Sequence, residues 1–578
     1  MNERIKKLRQ QSLDAIPTIS FERAELLTEF YRSGAADRVS VPVARALAFK
    51  YILENKSLCV NDGELIVGER GPAPKATPTY PEVCTHTESD LEILNNREKI
   101  SFKVSEADMK KHLEKIAPFW QGRSIRERIF AEVDEEWKAA YRAGVFTEFM
   151  EQRAPGHTVL DDKIYRKGFT DFIGEINRRI ETLDFYYDSE AFEKREELRA
   201  MKIAAEALIS FAGRYAAKLK EFAAQEKNPA RKKELEKLSE ICSRVPANAP
   251  KTFWEALQYY WFVHLGVVTE FNTWDSFNPG RLDQHLYPFY KRDIESGVMT
   301  REQARELLQA FWVKFNNQPA PPKVGVTAQE SNTYTDFCLI NLGGVKSDGS
   351  DAVNELTYLV LDVIEEMRLL QPSSMIQVSK KNPNRFIKRG VQIIKTGYGQ
   401  PSVFNTDAII QELVRQGKSL IDARNGGASG CVEAGAFGKE AYILTGYFNL
   451  VKVLEITLNN GVDPESGEEI GLESGDPAGF KSFNELYAAF EKQLNYFIDV
   501  KIKGNIIIER LYAQYLPAPF LSLLIDDCIP KGKDYHNGGA RYNSSYIQGV
   551  GMGTITDSLT ALKYHVFDKK NISMDEFL

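Results

Sequence analysis

Cysteine is scarce in this chain: Cys59, Cys84, Cys242, Cys338, Cys431 and Cys528 are all far apart, with no C-x-x-C pair and no cysteine–histidine spacing of a zinc site. That excludes a disulfide framework and points to reduced thiols in a reducing compartment. Long apolar runs are missing too, since none approaches the ~18 residues of a membrane span. The opening stretch MNERIKKLRQQSLDAI is charged where a signal peptide would be apolar. A cytoplasmic protein without membrane contact is expected. Histidine is rare, and no two of the seven stand at the i, i+4 spacing of a metal-binding helix, so no metal site is expected. Positive charge is not in excess: the formal net charge is -7, and basic residues interleave with acidic ones, as in RKKELEKLSE (231–240), which offers nucleic acid nothing to hold.

What is present is the composition of a globular protein, 43% hydrophobic and 27% charged. A length of 578 residues exceeds what one simple core usually serves, so several domains or one large barrel are expected. To about residue 265 the apolar period is helical, as in 21–33, 194–228 and 252–268, and the Pro/Gly-rich stretches 71–83 and 151–162 read as loops. After residue 330 short apolar runs suggest strands: DFCLINLGG (336–344), SSMIQVSK (373–380), VFNT (403–406), NIIIERL (505–511) and LSLLIDD (521–527). Helical stretches such as 354–370 lie between them, which predicts an α/β architecture, a barrel, behind a largely helical amino-terminal part.

YIQGVGMGTITDSL (546–559) has the glycines of a dinucleotide turn but lacks the following strand with its acidic end, so a closely packed strand end is expected. SMDEFL, at the end, places Ser573 and Glu576 at capping-box spacing and announces a helix. His264, inside WFVHLG, reads as a core histidine, whereas His157 lies in a loop, where functional side chains concentrate.

The most informative stretch is RNGGASGCVEAGAFGKE (424–440), with five glycines, Cys431, and Glu433 two positions on. Glycine at this density disfavours a helix, and in an extended segment residues i and i+2 share a side. Thiol and carboxylate are thus expected to project together from a tight loop. A carboxylate neighbour raises a thiol's pKa, which suits a sulfur reacting as S–H or as a radical better than a thiolate nucleophile. A buried cysteine beside a turn is the alternative on spacing alone.

GCVE (430–433), FNPGRLDQHLYPFY (277–290) and NGGARYN (537–543), in that order, resemble segments of the glycyl radical enzymes, the family of pyruvate formate-lyase and the diol dehydratases. The resemblance runs from about residue 20 to 565. It implies a ten-stranded α/β barrel of two antiparallel half-barrels surrounded by helices, over residues 1–568, with the cysteine loop at its centre. Cys431 would be the thiyl residue and Glu433 the acid/base. The family stores its unpaired electron on a carboxy-terminal glycine, in an Arg-Val-x-Gly segment that this sequence lacks. Residues 569–578 are therefore expected to open a radical domain that the chain does not continue.

The continuation GCVEAGAFGKEAYILTGY, with APGHTVLDDKIY (154–165), NTWD (272–275) and SNTYTDF (331–337), implies a dehydratase acting on trans-4-hydroxy-L-proline. Phe149, His157, Asp275, Ser331, Phe337 and Tyr447 would then surround the substrate. The resemblance also implies no cofactor bound by this chain, a radical S-adenosylmethionine activating enzyme as partner, and a homodimer. Two further readings stand beside it: an eliminase of a diol or another small 1,2-substituted compound, and a catalytically silent chain without the radical glycine.

Overall fold

A computed structural model describes residues 1–154, 157–271, 277–320, 322–324 and 337–578. Two parallel groups of short strands form its α/β centre. An outlying pair, β1 (Thr18–Ser20) and β2 (Ala76–Pro78), lies apart from them in sequence. In the first group β3 (Thr158–Val159) pairs in parallel with β4 (Phe277–Asn278). Gly280, just past β4, bridges Ile340 of β5 (Leu339–Gly343). The series continues in parallel through β6 (Ser373–Val378) to β7 (Ser402–Asn405).

Between β5 and β6 lies the helix Glu355–Met367, and between β6 and β7 the helix Asn384–Ile394; parallel strands need such crossovers. Their cover explains why β5 is buried at every position and reads as an apolar run broken only by Asn341.

Short hairpin strands β8 (Gly427–Ser429) and β9 (Glu433–Gly435) pair antiparallel with each other. The second parallel group is β10 (Glu440–Asn449) with β11 (Tyr542–Val550). Residues 145–149 run antiparallel beside β10: Phe146 bridges Phe448, and the Thr147 and Phe149 N–H groups donate to the Tyr447 and Thr445 carbonyls at 2.9 and 3.3 Å. Two parallel sets among helices agree with the expected α/β class.

The amino-terminal half is helical, as its periodicity predicts. The 35-residue helix Ala191–Gln225 lies along the surface of the core, while Phe253–Glu270 is buried at every residue except Trp254. A helix enclosed on all sides needs no polar face, which accounts for the run FWEALQYYWFVHLGVV. The glycine-rich 546–559 segment is a strand end, β11 passing into the helix Met552–Leu562. The Ser573–Glu576 capping box closes on the short helix Met574–Phe577.

Two expected strands are helices. NIIIERL lies inside the helix Phe483–Tyr515, where Asn505, Ile508, Leu511 and Tyr512 face inward while Ile506 is 64% exposed. LSLLIDD falls largely in the buried helix Pro519–Leu524, whose first free N–H groups, on Phe520 and Leu521, are accepted by the Glu270 carboxylate at 2.8 and 2.9 Å. A short apolar run looks alike in a buried strand and a buried helix, so packing partners make the choice.

Candidate active site

Ser429 pairs with Glu433 at the closed end of the β8–β9 hairpin, leaving Gly430, Cys431 and Val432 as its turn. Gly430 takes φ +54°, a left-handed conformation that a residue with a Cβ adopts only under strain. The extended segment expected from i, i+2 spacing is therefore replaced by a turn. Acid and thiol are brought together another way: Glu433 Oε2 accepts the N–H groups of Cys431 and Val432 at 2.8 and 2.9 Å. The carboxylate folds back over the turn, since two backbone donors without strand partners need an acceptor.

Of the six cysteines Cys431 alone is exposed; Cys84, Cys242, Cys338 and Cys528 are buried and Cys59 is half-buried. Burial pushes the Cys84 thiol up to about 12, which suits an inert packing residue. Cys431 instead borders a cavity of about 580 Å3 that Phe337, Leu339, Ser374 and Phe404 also line. Phe337 holds φ +52°, uncommon for a bulky residue and a mark of a conformation imposed by its surroundings.

Glu433 is only 8% exposed, and its Oε1 stands 3.8 Å from His157 Nε2. His157 is fully buried, donates its N–H to the Tyr442 carbonyl at 3.3 Å, and stacks on the Tyr442 ring with centroids 6.0 Å apart. Cys431, Glu433, His157 and Phe337 thus belong to one neighbourhood. Phe149 and Tyr447 form an edge-to-face pair at 4.7 Å towards the other end of β10. Asp275 and Ser331 lie outside the described residues.

Sequence reasoning missed the groups that fix these side chains. Glu148, fully buried, accepts the Phe149 and Met150 N–H groups at 3.0 and 3.2 Å and pairs with fully buried Lys501. Lys501 also donates to the Thr445 carbonyl at 3.2 Å and to Asn505 Oδ1 at 2.9 Å, tying the Phe149 segment to the strand that carries Tyr447. Burial raises the Glu148 pKa above the usual carboxylate value, although Lys501 pulls it down. Tyr546 reaches the hairpin from β11, donating to the Ala434 carbonyl at 3.1 Å. Asn278, Asn341 and Gln377 meet it from the other side, and their signal was present: an amide inside an otherwise apolar buried strand is an informative exception.

His264 is a core residue, stacked on Trp261 at 4.8 Å. Among the described residues no group of three or more His, Cys, Asp or Glu side chains is placed to hold a metal ion, and no helix is long and apolar enough to cross a membrane.

A family model described as pyruvate formate lyase-like matches residues 1–578. Trans-4-hydroxy-L-proline dehydratase of Clostridioides difficile is 57% identical over 576 residues, covering 100% of this chain and 73% of that protein. The (2S)-3-sulfopropanediol dehydratase of Klebsiella oxytoca is 32% identical over 584 residues, covering 100% of this chain and 70% of that protein. The crystal structure of the Clostridioides difficile hydroxyproline dehydratase with trans-4-hydroxy-L-proline bound matches with a TM-score of 0.98 at 57% identity, across 100% of this chain and 73% of that one.

Proposed function

Since the chain belongs to the pyruvate formate lyase-like family, we propose that it is a glycyl radical dehydratase that removes water from trans-4-hydroxy-L-proline to give 1-pyrroline-5-carboxylate. The observation that carries this reading is the pairing, on one hairpin, of an exposed thiol bordering a cavity with a nearly buried carboxylate 3.8 Å from an imidazole. The identity to the hydroxyproline dehydratase supports the substrate. The odd electron comes from a glycine that a radical S-adenosylmethionine activating enzyme oxidises, in a protein that works as a homodimer.

The sulfur radical of Cys431 takes a hydrogen atom from ring carbon C5, where the adjacent nitrogen lone pair stabilises the carbon radical. A radical at C5 weakens the neighbouring C4–O bond. Glu433, with Oε2 engaged by the turn, uses Oε1 for proton transfer, and His157 and Asp275 hold or protonate the hydroxyl as it leaves as water. Return of hydrogen from Cys431 and loss of one proton complete the product. Phe149 and Phe337 wall the ring so that C5 stays within reach of sulfur, while Ser331 and Tyr447 complete the substrate's surroundings; such positioning is a large part of the rate.

In radical-bearing protein, Cys431→Ala is expected to abolish turnover of trans-4-hydroxy-L-proline while calorimetry still detects its binding. Release of the cyclic imine by the Cys431→Ala protein, or turnover of a simple diol in preference to hydroxyproline, would overturn the reading.

A further inference from the structure

Three amide side chains on successive strands of the first parallel group converge on the amino-terminal limb of the hairpin. Asn278 on β4 donates to Ser429 Oγ at 2.7 Å and accepts the Leu339 N–H. Asn341 on β5 bonds Ala428 in both directions, donating to its carbonyl at 2.9 Å and accepting its N–H at 3.2 Å. Gln377 on β6 donates to the Gly426 carbonyl at 3.2 Å and to Asn341 Oδ1 at 3.1 Å.

The register makes this possible. Gln377 pairs with Gly343, two residues from Asn341, and positions i and i+2 of a strand share a face. A Cβ added at Gly427 would lie 2.3 Å from both Asn341 Oδ1 and Gln377 Nε2, so only glycine lets the hairpin approach the ladder. All three amides are buried to within 1%. Primary amides are costly there unless their hydrogen bonds are made, and apolar side chains like those of Ile340 and Leu342 would fill the space without that cost. Apolar packing, however, is non-directional, whereas these bonds fix Gly426, Ala428 and Ser429 at defined points, the last of them two residues before the sulfur.

We infer that Asn278, Asn341 and Gln377 are positioning residues that act through β8 to hold the Cys431 sulfur at hydrogen-transfer distance from the substrate carbon. On the opposite limb, Tyr546 on the Ala434 carbonyl and Glu440 on the Ala436 N–H, at 2.8 Å, supply the counter-hold. The inference rests on the radical dehydration proposed above. It also makes a statement about the hairpin alone, which can be tested without turnover.

Asn341→Asp keeps the volume and the acceptor but sets an oxygen against the Ala428 carbonyl. In the chain as it stands, amide hydrogen exchange of a peptide spanning 427–435 is expected to quicken about tenfold, the scale of one lost hydrogen bond, while a peptide from 253–270 stays protected. In radical-bearing protein, kcat should fall roughly 10²-fold, the scale of a 1 Å misplacement, at unchanged KM and unchanged glycyl radical yield. The isotope effect with C5-deuterated substrate should grow. Unchanged exchange at 427–435, or exchange that quickens equally across the molecule, overturns the inference, as does a fall in kcat that merely follows lost radical. If Asn341→Asp does not fold, Ser429→Ala, which removes the acceptor of Asn278, carries the same test. Failure of hydroxyproline turnover by the unsubstituted protein would strike the substrate reading and leave the exchange result standing.

Discussion

Glu433 presents one carboxylate oxygen to the backbone and the other to an imidazole: Oε2 caps the Cys431 and Val432 N–H groups, and Oε1 faces His157 at 3.8 Å. Glutamine can still offer one carbonyl oxygen to the turn, but it cannot exchange a proton as a carboxyl does. Glu433→Gln is therefore expected to keep nearly the full resistance to urea and to lose dehydration by about 10²–10⁴-fold, the range of a positioned proton transfer. Glu433→Ala should lose the reaction and also about 1.5–3 kcal/mol for each hydrogen bond to a charged group that it removes. Urea melts of the two variants side by side check the division: equal stability would show that the turn does not depend on the carboxylate. The nearness of these residues was legible from Cys-x-Glu among glycines. The division of labour was not, because it needs a backbone path that sequence spacing leaves undefined.

The hairpin is also tightly packed at Gly427. Gly427→Ala would push a methyl to 2.3 Å from two buried amides, and overpacking of this kind typically costs about 1–3 kcal/mol. The expected outcome is a protein that folds with lowered thermal stability and exposes residues 427–435 to faster exchange. Stability equal to that of the parent protein would show that the ladder yields freely. Elsewhere, the strands at 339–343 and 373–378 were legible because parallel strands under helical cover demand apolar runs between turn signals. The misread segments 505–511 and 521–527 met the same description. In the first, three consecutive isoleucines favour a strand locally, yet the inward positions recur at helical spacing along a 33-residue helix.

Across the whole molecule, four of the seven histidines, His86, His112, His157 and His264, are buried. Burial, with Arg70 adding its positive charge, holds His264 down to about 3, and burial with His112 nearby lowers His86 as well. The unfolded chain, with histidine near 6.5, binds protons that the folded one refuses between about pH 6.5 and 3, so stability is full above that window and falls with acidification through it. At pH 5 His264 alone should cost about 2 kcal/mol relative to pH 7, at ~1.4 kcal/mol per pH unit below 6.5. Denaturant melts from pH 7 to 4.5 measure this, and His264→Phe should flatten the acid limb. An unchanged limb would mean that His264 does not contribute.

By itself the sequence determined the α/β class, the helical amino-terminal half, and a cysteine and a glutamate held close by a glycine-rich loop. Each follows from composition, period and local backbone preference, which act over a few residues. Only the tertiary structure decided that the loop is a hairpin rather than an extended segment, that His157 stands against Glu433, and that Asn278, Asn341 and Gln377 grip β8. Those partners lie tens to hundreds of positions apart in the chain, and their bonds exist only once strands of fixed register bring distant side chains into one buried, water-poor space where each polar group must find its mate.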